Sequence, residues 1–386
     1  MEISSIVVEL QKSLDDFSGE DYQIGPSTTT AYNEKLKSRV DEILKKYPEN
    51  LRIRVCDEFF AWGPLEELKA DPEICEILVN GPDSIWFEKK GKLQKHHDIF
   101  LSLTTYRNIF DAISQSAQVH PTAEFPIVDG QTGPFRLNMV RSELHSGGDI
   151  LSLRRHPENP WTLDQLKSVG WCQDWEKNLI QHWVSSGKNF LVIGPTSSGK
   201  TSVLNACLCE TKPTERSIIL EDSSEIKTPN EASLKLLTRK DSQGLLPDVT
   251  LMDLLKTALR LRPDRLVIGE MRGAEAKDFL MALSSGHRGS LGTLHAEGPA
   301  QALLRLEMLV QLGAPQWNLT AIRRLIHMSL DGILVTGRDS QGQRTFKGLY
   351  AIASLEDSGF TLDKLGSEIF SKISSDKGAS LSLAMV

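Results

Sequence analysis

Gly194-Pro195-Thr196-Ser197-Ser198-Gly199-Lys200-Thr201 has the residue types and spacing of a phosphate-binding loop, G-x-x-x-x-G-K-[ST]. Glycines let the backbone curl until successive N–H groups point inward at a β-phosphate. Lys200 brings a mobile positive charge for the β- and γ-phosphates, Thr201 a hydroxyl for Mg²⁺, and the helix that starts here its positive dipole end, with Ser202 in its first turn. Average residue usage produces such a match in a chain of this length on the order of one percent of the time. The flanks narrow it further. Asn189 to Ile193 reads as a buried parallel strand, and Thr201 to Cys209 continues as a helix, so the order strand, loop, helix is met.

A triphosphate site also needs acids that manage the cation and the attacking water. Arg265 to Gly269 is an apolar strand followed by Glu270, but glycine stands at 269, where an Asp often holds the metal. Ile218-Ile219-Leu220 runs into Glu221-Asp222 in the same way. Acids at the ends of two adjacent strands are expected to converge beside the phosphates, and either Glu270 or Glu221 could orient and deprotonate water. Gly286 to Ala296 reads as a strand with a histidine at each end. His295, and His287 less directly, could hydrogen-bond a γ-phosphate and register its loss.

The elements that must position these groups are legible in outline. Helices Trp175–Ser186, Met252–Leu261, Ala274–Ser285, Pro299–Leu312 and Asn318–Leu330 alternate with strands Ser217–Glu221, Arg265–Gly269 and Ser290–Leu294. That alternation predicts a mostly parallel sheet covered by helices, closed by a hairpin of Ile333–Val335 and Thr345–Ala353. Before it, a smaller α+β domain is expected over 63–157. It has a short helix from Leu65 to Leu68, strands Cys75–Asn80 and Ser84–Glu88, a helix Leu103–Gln118, and extended segments Phe135–Val140 and Ile150–Arg155. Pro157-Glu158-Asn159-Pro160 is the expected linker to a nucleotide domain over 161–357. Residues 1–62 read as a helical, solvated extension, with a break at Ser27–Thr30 and a helix over Tyr32–Tyr47, and 358–386 as a tail without pattern.

The 386 residues are 40% hydrophobic and 25% charged, ordinary values for a globular chain of two or three domains. A net charge of −7 provides no global basic field for nucleic acid. No run is long enough to span a bilayer, and Met1–Glu9 lacks the basic and apolar regions of a signal peptide. Five cysteines without a C-x-x-C pair indicate neither a zinc framework nor disulfides; buried, reduced thiols in a cytosolic protein are expected.

Taken together these motifs resemble the type II/type IV secretion ATPase superfamily over about Phe60 to Leu355. Glu221-Asp222 is similar to its aspartate box, Gly269-Glu270-Met271-Arg272-Gly273 to its atypical Walker B segment, and Gly286–Ala296 to its histidine box. Leu259 to Arg265 matches the approach to Walker B, and Gly63-Pro64-Leu65 with Ile77 to Pro82 the entry into the first domain. The branch it most resembles is the Tad/Flp (CpaF-type) pilus ATPases. No cysteine follows Cys209, which departs from the four-cysteine loop of the type II secretion branch; conjugation-type ATPases remain a near relative. The resemblance implies a RecA-like ATPase domain behind a smaller α+β domain, ATP with Mg²⁺, and a homohexamer working on an inner-membrane platform protein from the cytoplasmic side, with no direct nucleic-acid partner. It also implies that Arg136 and Arg154 reach the phosphates from the first domain, while the family's further arginine near Gln131 is missing from a shorter loop. A non-hydrolysing nucleotide-dependent binding protein, suggested by Gly269, and a nucleic-acid motor on the same sheet architecture are the competing readings.

Overall fold

The computed structural model describes Ile6, Leu10, Ser38 and residues 40–156, 160–240 and 246–368. The break at 27–30, positions 32–37 and 39 of the 32–47 helix, linker positions 157–159 and the end of the tail lie outside the described residues; Ser38 and residues 40–44 of that segment are helical. The chain divides into two compact units, Met1–Glu158 and Asn159–Val386.

The first unit is built on a six-stranded antiparallel sheet: β1 (Ile74–Val79), β2 (Ile85–Lys89), β3 (Lys92–Lys95), β4 (Ile127–Thr132), β5 (Phe135–Val140) and β6 (Ile150–Arg155), in the order β3-β2-β1-β6-β5-β4. Side chains alternate across a strand, so Phe135, Leu137 and Met139 of β5 enter the core while Arg136 and Asn138 take the other face. That core closes against a helix over Leu103–Ser116, which supplies Tyr106, Ile109, Phe110 and Ile113 at helical spacing. Ser102 and Thr105 form a capping box at its start.

The sequence expectation of a solvated extension up to residue 62 fails for its described part. Helix α1 (Glu49–Phe60) buries Val55 and Phe59 with Ile6, Leu10, Val40 and Leu44. Its Glu58, 2% exposed, accepts from the Leu101 N–H at 2.8 Å and from Thr105 Oγ1, and pairs with Arg54 at 2.7 Å. The buried carboxylate therefore fastens α1 to the N-terminus of the Leu103–Ser116 helix. A second short helix, α2 (Leu65–Ala70), follows.

The second unit carries an eight-stranded sheet: β7 (Phe190–Gly194), β8 (Ser217–Glu221), β9 (Leu234–Leu237), β10 (Arg265–Ile268), β11 (Leu291–His295), β12 (Gly332–Arg338), β13 (Arg344–Glu356) and β14 (Gly359–Lys364). Their order is β14-β13-β12-β7-β11-β10-β8-β9. Strands β12 to β9 in that order pair in parallel, and β13 and β14 add antiparallel. Every residue of β7 is buried: Leu191 and Ile193 face one helical layer, Phe190 and Val192 the other. This is the continuous apolar run that a parallel strand covered on both faces requires.

The predicted hairpin is present as β12–β13. The patternless tail is corrected in part, because β14 extends the sheet to Lys364 and rests Phe360 and Leu362 on the core. The expectation that the cysteines are buried holds for Cys172 and Cys207; Cys75 and Cys209 are exposed. Among the described residues no helix is long and apolar enough to cross a membrane.

Candidate functional site

The loop predicted to hold phosphate joins the C-terminal end of β7 to the helix Lys200–Leu208. Its shape demands its glycines. Gly199, the residue that caps this helix, sits at φ +90°, in the left-handed region. A Cβ on Gly194 would stand 2.3 Å from the Thr336 carbonyl oxygen and 2.4 Å from Ser198 Oγ, a clash no side chain escapes.

The loop carbonyls are held from outside. Arg338 and Arg344 donate to Ser197 O at 3.1 and 3.2 Å, and Thr336 Oγ1 donates to Ser198 O at 3.1 Å. Trp171 Nε1 in turn donates to Thr336 Oγ1 at 3.1 Å. Ser198 Oγ is buried and has no hydrogen-bond partner among the described residues. Sequence reasoning missed Arg338 and Arg344. Their signal was available, since they flank the Ser340-Gln341-Gly342 turn of the predicted hairpin, whose first strand, β12, pairs directly with β7.

Lys200 is 7% exposed. Its ammonium donates to Gly194 O at 3.2 Å and Pro195 O at 3.0 Å, and to His295 Nδ1 at 3.2 Å. Burial, and then the Lys200 charge, hold the His295 imidazole below its ordinary pKa. A neutral ring fits both contacts: Nδ1 accepts from Lys200 and Nε2, 3.0 Å from Glu270 Oε1, donates to that carboxylate.

Glu270 continues the chain to Arg272 at 2.6 Å. Burial is the largest single influence on Glu270 and works upward. The Arg272 hydrogen bond and the charges of Arg272, His295 and Lys200 together outweigh it, so the carboxyl stays below its usual range and is ionised at neutral pH. Glu275 fixes the bend beyond by accepting from the Arg272 and Gly273 N–H groups at 2.6 and 2.8 Å. The pairing of β10 with β11, Ile268 opposite Gly292, is what brings Glu270 and His295 together across 25 positions of sequence.

The other stations fall elsewhere. Glu221 does not converge with Glu270 on the loop. Its side chain, 3% exposed, turns back to accept from the Ile226 N–H at 3.0 Å and the Glu225 N–H at 3.1 Å, with Lys235 at 3.4 Å. Burial dominates its titration and pushes its pKa up to about 7, against the Lys235 charge and the two amides. His287 precedes the N-terminal end of β11, a strand's length from the loop, where its Nδ1 lies 2.9 Å from Ala282 O. It is not brought to the phosphate loop of this unit. Arg136 and Arg154 belong to the first unit, where they stand opposite each other in β5 and β6 on the sheet face turned from the core. Glu76 of β1 is next in the row; burial and then the Glu88 charge raise its pKa, with Arg154 opposing.

A buried ammonium in a curl of backbone, with carbonyls tied outward and an orphaned hydroxyl beneath, suits a polyanion. Thr201, next along the helix, offers a hard oxygen of the kind Mg²⁺ takes with phosphate and water oxygens. The Lys200–His295–Glu270 chain can place a charged base one imidazole away from the phosphate-binding lysine.

Residues 61–337 match the family described as Type II/IV secretion system protein. A provisionally named conjugal transfer protein of Mycobacterium tuberculosis, Rv3659c, is 32% identical over 314 residues, covering 80% of this chain and 88% of that one. The type IV secretion system protein PtlH of Bordetella pertussis is 29% identical over 299 residues, covering 70% and 88%. Among solved structures, the pilus retraction motor PilT with bound ADP superposes with a TM-score of 0.56 at 21% identity, covering 81% of this chain and 86% of that one. The Legionella pneumophila ATPase DotB gives 0.53 at 19%, covering 86% and 83%. The two structural likenesses speak to the fold alone.

Proposed function

The chain belongs to the Type II/IV secretion system protein family, and on that premise we propose that it is an ATP-hydrolysing motor that works as a homohexamer on an inner-membrane platform protein to assemble a Tad/Flp-type pilus or drive secretion. The observation that carries the reading is the unbroken chain Lys200–His295–Glu270, which joins the phosphate-binding ammonium to an ionised carboxylate.

In this reading the loop amides and Lys200 bind the β- and γ-phosphates. Glu270 orients the attacking water and accepts its proton, and His295 couples that carboxylate to Lys200, so that loss of the γ-phosphate is felt at both. Thr201 would hold Mg²⁺, which supplies charge neutralisation at the phosphate oxygens. Arg136 and Arg154 close the first unit over the nucleotide, and their release on hydrolysis lets the two units move.

A conjugation-type secretion ATPase is the second reading. It is favoured by the conjugal transfer name of the Mycobacterium tuberculosis relative. Co-purification with a pilus platform protein supports the first; restoration of conjugation in a strain lacking its own ATPase supports the second.

The basic test is Lys200→Ala. Phosphate release should fall at least 100-fold while the circular dichroism spectrum and thermal unfolding stay unchanged. Wild-type protein that binds ATP but releases no phosphate, with or without lipid, would instead mark a non-hydrolysing binding protein. Strongly salt-dependent stimulation by single-stranded DNA would mark a nucleic-acid motor.

A further inference from the structure

Far along the sequence from the phosphate loop, helix α2 and the chain leaving β3 bring Glu67, His96 and His97 together. One ligand atom from each lies within 4.8 Å of the other two. His97 Nε2 stands 3.9 Å from Glu67 Oε2, and both side chains are open to solvent, at 77% and 72% exposure. The two imidazole rings meet edge to face with centroids 4.6 Å apart.

His96 is different. It is 5% exposed, and its Nε2 is buried without a hydrogen-bond partner among the described residues. Its own backbone is fixed, with the N–H donating to Ile85 O of β2 at 2.9 Å. A buried ring nitrogen with no donor or acceptor is unfavourable and calls for an explanation. A metal ion supplies one, because a neutral imidazole nitrogen is a ligand as well as an acceptor.

We propose that Glu67, His96 and His97 form a binding site for a zinc-class divalent ion. Two imidazoles and one carboxylate are a set that tetrahedral zinc accepts, with the fourth position left to water. Zinc–ligand bonds of about 2.0–2.1 Å put tetrahedral ligand atoms roughly 3.4 Å apart. The present spread closes to that value by rotamer changes in the two exposed side chains, while buried His96 stays in place. The bound ion ties α2 to the edge of the antiparallel sheet, where all four residues of β3 are exposed and, among the described residues, lack a neighbouring strand on one side. This site shares no residue with the nucleotide site and stands independently of it.

The test uses the full chain, stripped with chelator and titrated with Co²⁺ and then Zn²⁺ without nucleotide. One equivalent of Co²⁺ with the visible absorption of a four-coordinate N/O site is expected, displaced by Zn²⁺. His97→Ala and Glu67→Ala, at exposed positions that leave the fold intact, should each weaken binding at least tenfold. His295→Ala, which removes the histidine–carboxylate pair beside the phosphate loop, should leave it unchanged. Absence of a stoichiometric ion, a thiolate charge-transfer band, wild-type binding by His97→Ala and Glu67→Ala, or loss of binding in His295→Ala would each overturn the proposal.

Discussion

Glu221 and Glu270 lie at the ends of β8 and β10, which run side by side in parallel, yet they occupy opposite environments. Glu221 is buried, takes backbone amides from the segment that follows it, and has a pKa near 7. Glu270 is about a quarter exposed, is ionised, and connects through His295 to Lys200. The difference teaches that a strand end only delivers a carboxylate to the rim of the sheet. What the carboxylate does there depends on which donor reaches it first. Glu221 is held by amides of its own loop and turned away from the lysine of the phosphate loop, whereas Glu270 is held by Arg272 of its own loop and by His295 of the neighbouring strand, which carries it to Lys200.

The place Glu221 takes also explains the glycine at 269. A Cβ at that position would stand 2.9 Å from Glu221 Cγ. The buried acid of β8 occupies the room that a larger residue at the end of β10 would need, so a metal-binding aspartate cannot sit there while Glu221 keeps its place.

Turnover separates the two acids most sharply. Glu270→Gln should retain ATP binding and lose about 10²–10⁴-fold in kcat, the usual range for removing a general base, whereas Glu221→Gln should change kcat less than about threefold by the same reasoning. Single-turnover phosphate release measures both. Full turnover by Glu270→Gln would transfer the role to Glu221 and undo the comparison.

Stability against pH is the next probe. Glu221 rises from 4.5 to about 7 on folding, so the folded state holds its proton longer than the unfolded state. The stability it contributes is fully present below 4.5 and is lost as pH rises through 7. The loss amounts to about 3 kcal/mol. Urea unfolding at pH 5 and pH 8 should show that decline in the wild type and a much flatter profile in Glu221→Gln, whose amide oxygen still accepts from residues 225 and 226. Identical profiles would show that the carboxylate is ionised in the fold throughout.

The smallest effect is expected at their contact. Gly269→Ala should cost about 1–3 kcal/mol by overpacking. Adding Glu221→Ala should recover part of that loss in a double-mutant cycle. Strict additivity would mean that the two positions do not share space.

The phosphate loop was legible because its chemistry and its backbone geometry both restrict residue type: only glycine suits φ +90° at 199, and only a long cation spans from 200 to His295. The parallel strands were legible because burial on both faces makes them continuously apolar. The missed elements lack such constraints. β3 is exposed at every residue, β4 carries Gly130 and alternates weakly, and β9 and β14 are short edge strands whose existence depends on the neighbours they pair with. The fate of Glu221 was hidden for a related reason, since the amides that hold it carry no side-chain signature. A strand with a histidine at each end has only one end at the loop, so His295 reaches it and His287 does not. α1 reads as solvated in sequence because its burial rests on a few apolar positions among many charges.

Trp171 donates to Thr336, and Thr336 donates to the Ser198 carbonyl inside the phosphate loop. The indole is 2% exposed and stacks edge-on to Phe346 at 5.6 Å. A fluorophore is thus wired by two hydrogen bonds to the cradle, and its emission should shift when the cradle fills. Titrating ADP while watching tryptophan fluorescence, with Trp171→Phe as the silent control, would give an optical gauge of occupancy that needs no label and no turnover.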